Sequence, residues 1–307
     1  MKKYIAIVGL ILAVSVSAQT NNNYKKFIES LKKELSQIAN YEEHFDERYL
    51  IFTEENDYFY TGVRIDLTNL YNNCSQEDEN EWSMIIRQHL EQGKKIRLEE
   101  KEVTPMLEKL ETAIKYLKFR IYSIDYLTQA DRNSIIDSRF TDFIGVVVVD
   151  FPSGVKNLEK SYLSKWSISD SEIIKLAIDN TLKSNHEKFE ESTSGNAFKI
   201  NTLFSDENIF ITSSVYDLVS KNIPLGTLGS LVAIPNRMGI VTKPVEKKTF
   251  FSDLLQLIGL ANYMYEQGPV SITNVVYWFN GKTLQKIEHN KKRKSIKLPL
   301  ELEELLK

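Results

Sequence analysis

The sequence has little of what catalytic and metal-binding proteins are usually recognised by. A single cysteine, Cys74, stands in 307 residues, which excludes an intramolecular disulfide framework and a multi-cysteine zinc site. The four histidines, His44, His89, His186 and His289, lie far apart and form no His-x-x-x-His pair. No surplus of positive charge exists either: Lys+Arg 39 against Asp+Glu 42 leaves a formal net charge of −3. The whole chain therefore has no electrostatic case for gripping a phosphate backbone, and nucleic acid is not an expected partner. Proline (7) and glycine (12) are too sparse, and the hydrophobic fraction of 42% too high, for a disordered or collagen-like chain. Beyond the first residues, apolar runs are short. The richest, Phe250 to Ala261, is broken by Asp253 and Gln256.

What is present begins with an export pattern. Met1-Lys2-Lys3 supplies a positive n-region, Tyr4 to Val14 an apolar run, and Val16-Ser17-Ala18 small residues at −3 and −1 before Gln19. This predicts a signal peptide over 1–18, cleaved before Gln19, and a periplasmic or secreted body. The apolar run is shorter than the ~20 residues of a spanning helix, so no transmembrane span is expected after cleavage. In an oxidising compartment Cys74 reads as a small buried residue, with an intermolecular disulfide or a reactive thiol as the alternative.

Along the body, Phe27, Leu31, Leu35 and Ile38 recur at helical spacing, with Asn22 or Asn23 as the cap. Tyr49–Thr53 and Tyr58–Leu67 read as a hairpin. Asp78 with Glu81 forms a capping-box pattern before a helix that Gly93 should stop. Thr104-Pro105 opens a third helix with the face Leu107, Leu110, Ile114 and Leu117, and Phe119 to Leu127 reads as extended. The polar segment Gln129 to Asp142 is the best boundary between two halves. Beyond it, Ile144 to Val149 is a continuous apolar run, expected to be a strand buried on both faces. Ser169 and Glu172 predict another capping box. Glu187 to Gly195 is polar and reads as mobile; a short strand near Ile209 and a helix around Val215–Val219 follow. Strands at Leu231–Ile234 and Ile240–Val245 are joined through Pro235-Asn236-Arg237-Met238-Gly239. Phe250–Tyr265 is an apolar helix. Val275–Phe279, Asn280-Gly281 and Thr283–Ile287 predict a type I′ hairpin, and Pro299–Leu306 a short final helix. This mixed order predicts an α+β fold of two helix/strand halves with antiparallel hairpins: residues 19–128, 143–287, and a basic tail with a short helix over 288–307.

No motif carries obvious chemistry. Ser153 and Ser230 lack the glycine spacing of a nucleophile elbow. Gly226-Thr-Leu-Gly229 lacks the Lys-Ser/Thr of a phosphate loop and reads as a turn. The Glu42-Glu43-His44 cluster, read as a helix end, spreads consecutive residues around the axis, and His89 falls on an apolar helix face; neither predicts a metal site, and no cofactor is implied. Asp150, closing the apolar strand, is the one acid whose placement draws interest, though a turn-forming role is the default. Two features suit binding. Arg237 sits at a turn between two strands, where its fork fits a carboxylate or phosphate. The run Lys291-Lys292-Arg293-Lys294 could touch an anionic surface or acidic partner, at ~1 kcal/mol per residue near a charged membrane; a solvated loop is the simpler reading.

The stretch Val147-Val148-Val149-Asp150-Phe151-Pro152-Ser153, then Leu163-Ser-Lys-Trp166 and an acid-opened helix, resembles the YtpQ-like family of unknown function (domain of unknown function 1444). Leu231-Val-Ala-Ile-Pro235-Asn-Arg237 and Tyr265-Glu-Gln-Gly268-Pro-Val-Ser-Ile with Trp278-Phe-Asn-Gly281 resemble it too, and Val63-Arg-Ile-Asp-Leu67-Thr-Asn-Leu-Tyr71 does so more loosely. The resemblance covers residues 45 to 287 and implies an α+β protein without an assigned activity or catalytic residues. Its members are pictured as cytoplasmic, from which the export pattern and basic tail depart. The expectation is an exported, non-catalytic protein that binds an unknown protein or an anionic surface in the cell envelope. A hydrolase with a site assembled from dispersed residues is the alternative.

Overall fold

A computed structural model of the chain describes residues 22–37, 41–44, 49–52, 64–128, 133–194, 198–268, 270–290 and 295–307. The export pattern over 1–18 and the run Lys291–Lys294 lie outside the described residues. The fold is α+β with antiparallel sheets, in two compact units. One is the chain through Pro105 with Phe151–Gly154; the other is Met106–Asp150 with Val155–Lys307. The division falls at Pro105, not in the polar segment 129–142, because residues 117–123 form a strand paired along its length with 143–149.

In the first unit, helix α1 (22–35) buries Phe27, Leu31 and Leu35, the helically spaced stripe that the sequence shows, against Leu67, Leu70, Cys74, Trp82, Ile86 and Leu90. Asn22 and Asn23 already lie within α1. A three-stranded sheet joins β1 (Tyr41–His44), β2 (Tyr49–Phe52) and β3 (Arg64–Asp66). Glu42, Glu43 and His44 are therefore in a strand, not at a helix end. Helix α2 (Leu67–Ser75) follows, where the sequence suggested only the end of a strand. Asp78 makes no capping bond with its side chain, and a 3₁₀ turn over Glu79–Glu81 leads into α3 (Trp82–Val103). This helix runs straight through Gly93, because one glycine costs only ~1 kcal/mol in a stretch otherwise rich in Lys, Glu, Gln and Arg. His89 is exposed on it, at the flank of the stripe formed by Trp82, Ile86 and Leu90.

After α3 come short turns, not the expected long helix. Thr104 Oγ1 donates back to Glu100 O (2.7 Å) instead of capping forward; 3₁₀ turns at Thr104–Glu108 and Ile114–Tyr116 flank a single helical turn, α4 (Leu110–Ala113). Strand β4 (Leu117–Ser123) then pairs with β6 (Phe143–Phe151), which also pairs β5 (Ile136–Asp137) and β7 (Gly154–Asn157). The free edge of β4 is covered: Phe119 N–H donates to Thr181 Oγ1 and Phe119 O accepts from Ser213 Oγ, each at 2.7 Å. Such capping removes an open ladder that would otherwise template pairing. Thr181 belongs to α6 (Asp170–Ser184), preceded by the short α5 (Ser161–Trp166). The expected Ser169/Glu172 capping box is formed.

A six-stranded antiparallel sheet follows, in the order β13-β12-β10-β11-β9-β8. Its strands are β8 (Glu190–Ser194), β9 (Phe198–Phe204), β10 (Ser230–Asn236), β11 (Gly239–Pro244), β12 (Val276–Phe279) and β13 (Leu284–Lys286). The polar stretch read as mobile is thus largely an edge strand, while Ile209 precedes a 3₁₀ segment over Ile211–Asp217. Side-chain alternation divides the sheet cleanly. Leu231, Ala233, Val241, Val276 and Trp278 face Phe250, Leu254, Leu257 and Ala261 of α7 (Phe250–Gln267). Val232, Ile234, Tyr277 and Phe279 face Ile121 and Phe143 of the smaller sheet. Each fully buried large apolar side chain contributes ~1.5–3 kcal/mol, so central β10, buried throughout, anchors the unit. The Asn280-Gly281 connection is not type I′. Phe279 pairs Leu284 across a four-residue loop, in which Asn280 Oδ1 accepts the N–H groups of Lys282 and Thr283 and only Gly281 takes positive φ (93°). A hairpin of β14 (Glu288–Asn290) and β15 (Ser295–Lys297) and helix α8 (Leu300–Leu306) close the chain.

Candidate functional site

The β10–β11 turn consists of Arg237 and Met238, between the paired Asn236 and Gly239. Three bonds fix it: Asn236 Oδ1 accepts Met238 N–H (3.0 Å), Asn236 Nδ2 donates to Met264 O (3.1 Å), and Arg237 N–H donates to Val270 O (3.1 Å). Val270 itself sits at φ 50°. For a β-branched residue this left-handed conformation is an outlier costing ~1–3 kcal/mol, of a kind concentrated at functional sites. The turn is held, and held at a cost.

Strand β4 supplies the second half of the site. Its period of two puts Lys118, Arg120 and Tyr122 on one face, opposite Val148, Val146 and Ile144 of β6. Arg120 is only 7% exposed. Its guanidinium carbon lies 5.3 Å from the Tyr122 ring centroid, and that of Arg237 lies 5.7 Å from the same ring. Tyr122 stacks on Tyr126, centroids 4.1 Å apart. Asn157 Nδ2 donates to the Tyr126 hydroxyl (3.2 Å) and to Ser134 Oγ (3.0 Å), which fixes the aromatic floor. Beside Arg237 opens a cleft of about 90 Å³, lined also by Ser205, Asp206, Asn208, Ile209, Met238 and Val270.

The electrostatics are unusual. Neither guanidinium makes an ion pair with any described residue, and the Nε of each is buried without a hydrogen-bond partner. Arg120 has one long bond, from Nη1 to the Tyr122 hydroxyl (3.4 Å). Burial first, and then the like charge of Arg120, push the Arg237 guanidinium down to about 10; it stays charged at neutral pH. Burial likewise raises the Tyr126 phenol. Asp150, on the same face at the end of β6, is half-buried; burial raises its carboxyl while Lys118 and Arg120 pull it down. Burial lowers Lys118, opposed by Asp150. Three cations against one carboxylate leave a surplus of positive charge in a desolvated, aromatic-walled region. Arrangements of this kind bind oxyanions through charge-assisted, forked hydrogen bonds.

Other candidates are already occupied. Lys118 Nζ donates to Ser184 Oγ (2.8 Å) and Asn180 O (3.3 Å), a pairing reminiscent of a serine–lysine dyad. Ser184, however, donates its own proton to Thr181 O (2.8 Å), so the lysine caps the C-terminal end of α6, where the helix dipole favours a cation. Ser153 Oγ donates to Glu99 (2.7 Å) and Ser230 Oγ to Pro224 O. Gly226 and Gly229 form a closed turn, as the sequence suggested. A cleft of about 910 Å³ includes Lys286, His289 and Lys297, but Lys286 is paired with Asp142 and Lys297 with Glu288 (2.9 Å). Cys74 is fully buried, and burial pushes its thiol up to about 11.

Of the sequence-predicted binding residues, Arg237 is therefore in a built site, while Lys291, Lys292, Arg293 and Lys294 fall between β14 and β15, outside the described residues. Arg120, Tyr122 and Tyr126 were missed. The signal was there in Lys118-Phe-Arg120-Ile-Tyr122, where cations and a tyrosine alternate with apolar residues on a strand that has little room for them. No protein-family model matches the chain, and neither a curated protein nor a solved structure does. The resemblance to the YtpQ-like family rests on the quoted residues alone. Among the described residues no helix is long and apolar enough to cross a membrane.

Proposed function

We propose that the chain is an exported, non-catalytic binding protein of the cell envelope, and that Arg237 with Arg120 grips an anionic group of its partner. The observation that carries the reading is the pair of desolvated guanidiniums with no carboxylate within ion-pairing distance among the described residues. A buried cation without a counter-ion costs several kcal/mol. A bound anion offsets that cost beyond what the Tyr122 ring and the more distant Asp150 supply. Export is supported by the charged, apolar and small-residue segments over 1–18. Kinship with the YtpQ-like family belongs to the same proposal.

The test is crosslinking in the envelope of a producing cell, followed by mass spectrometry, for the wild type and Arg237→Met. Wild type should start at Gln19 and capture a partner that the variant, equally abundant and folded, loses. Recovery of the unclipped chain from the cytosol would overturn the export claim. Undiminished capture by Arg237→Met would overturn the binding role of the pair.

A further inference from the structure

Resting on that reading, the geometry points to a dianionic tetrahedral oxyanion, a phosphate group either free or as a monoester, as the ligand of the Arg237 cleft. Three features set the class. First is charge. Arg120 and Arg237 lie against the same Tyr122 ring, while Lys118 and Asp150 offset one another, so the two guanidiniums leave a surplus that matches two negative charges better than one. A carboxylate supplies one, whereas a phosphate monoester carries ≈ −1.5 to −2 at pH 7.

Second is size. The cleft beside Arg237 is small, about 90 Å³, which suits one tetrahedral oxyanion seated at the guanidinium. A larger ligand would therefore place only its phosphate here, with the remainder in solvent. Third is donor supply. The Arg237 fork and the Ser205 hydroxyl line one small cleft, so one oxyanion can collect more than one donor, while the Asn208 amide is committed to Asn185 and Glu187. Asp206 also lines the cleft, but it is exposed and makes no ion pair with Arg237 among the described residues; water screens its charge. The Tyr122 ring, stacked on Tyr126, lies against both guanidiniums and covers part of each.

Isothermal titration of the purified chain with inorganic phosphate, phenyl phosphate, sulfate and acetate tests this. At pH 8 both phosphates and sulfate should bind at least about tenfold more tightly than acetate, and Arg237→Met should abolish all binding. At pH 5.5, where phosphate is a monoanion, its affinity should fall at least about tenfold. Sulfate, a dianion at both pH values, should keep its affinity, which separates ligand protonation from titration of Asp150. If phenyl phosphate binds and inorganic phosphate does not, the site reads esters; the reverse ranking marks free phosphate. Acetate binding as tightly as phosphate, and lost in Arg237→Met, would overturn the dianion assignment and leave the anion-binding reading intact. No binding of any anion to folded wild-type protein would overturn both.

Discussion

Replacing Arg237 with Met should leave the ligand-free protein as stable as before, or more so. An arginine that touches so much of its surroundings would ordinarily be expected to matter for folding, and a broken buried ion pair costs 3–5 kcal/mol. Here the charged form is itself disfavoured. The gap between an ordinary guanidinium value near 12.5 and about 10 corresponds to ~3 kcal/mol, at ~1.4 kcal/mol for each tenfold in acidity. Against this stands the contact with the Tyr122 ring, ~0.5–1 kcal/mol at modest exposure. Methionine keeps much of the apolar stem, and the turn's backbone bond to Val270 does not involve the side chain. The net expectation is a gain of roughly 0–2 kcal/mol, read from urea unfolding at unchanged m-value. The sign of the pH dependence follows from the same shift. A cation whose folded value is depressed destabilises the native state fully below pH 10, and that penalty fades only as pH rises toward 12.5. The difference between variant and wild type should therefore be flat from pH 6 to pH 9. A loss above ~1 kcal/mol, or a difference that changes near a carboxylate's pKa, would show that Arg237 is a structural ion-pair residue and refute the argument.

Three further outcomes follow from other parts of the fold. Ser169→Ala should cost ~1 kcal/mol by removing the α6 cap. The bonds from Ser169 hold the Glu172 carboxyl below its usual value, so their stabilisation is present above pH 4.5 and fades as pH falls; the variant should lack this acid-side loss in a pH series of melts. Gly145→Ala should destabilise by ~1–3 kcal/mol, since its Cβ would lie 1.9 Å from Cζ of the fully buried Phe119; pairing it with Phe119→Leu should recover part of the loss in the same denaturation assay. Cys74, buried and with its thiol raised to about 11, should react with an aromatic disulfide at pH 8 only at the rate of opening; fast labelling of the folded protein would show that the burial is wrong.

Local patterns were legible wherever burial on one element sufficed to define them. The α1 stripe, the buried strand β6, the Ser169/Glu172 box, the β10–β11 hairpin and helix α7 all follow from periodicity or caps that act within a few residues. Misreadings arose where a local signal competed with packing elsewhere. Gly93 resembles a stop, yet α3 continues because its neighbours are good helix formers. Thr104-Pro105 resembles a start, yet the threonine bonds backward. Asn280-Gly281 resembles a type I′ turn, yet Asn280 uses its side chain to hold a longer loop.

The export pattern, the lack of a nucleophile motif and the candidacy of Arg237 needed only the order of the amino acids, because each depends on neighbours along the chain. The proposed anion site did not. Arg120 stands 117 positions before Arg237, on a different strand of a different sheet, and the two acquire a shared charge environment only when β4 and the β10–β11 turn are folded into one unit. Desolvation is what singles out those two cations as the proposed binding site, and desolvation is a property of the packed interior, invisible in a string of residues.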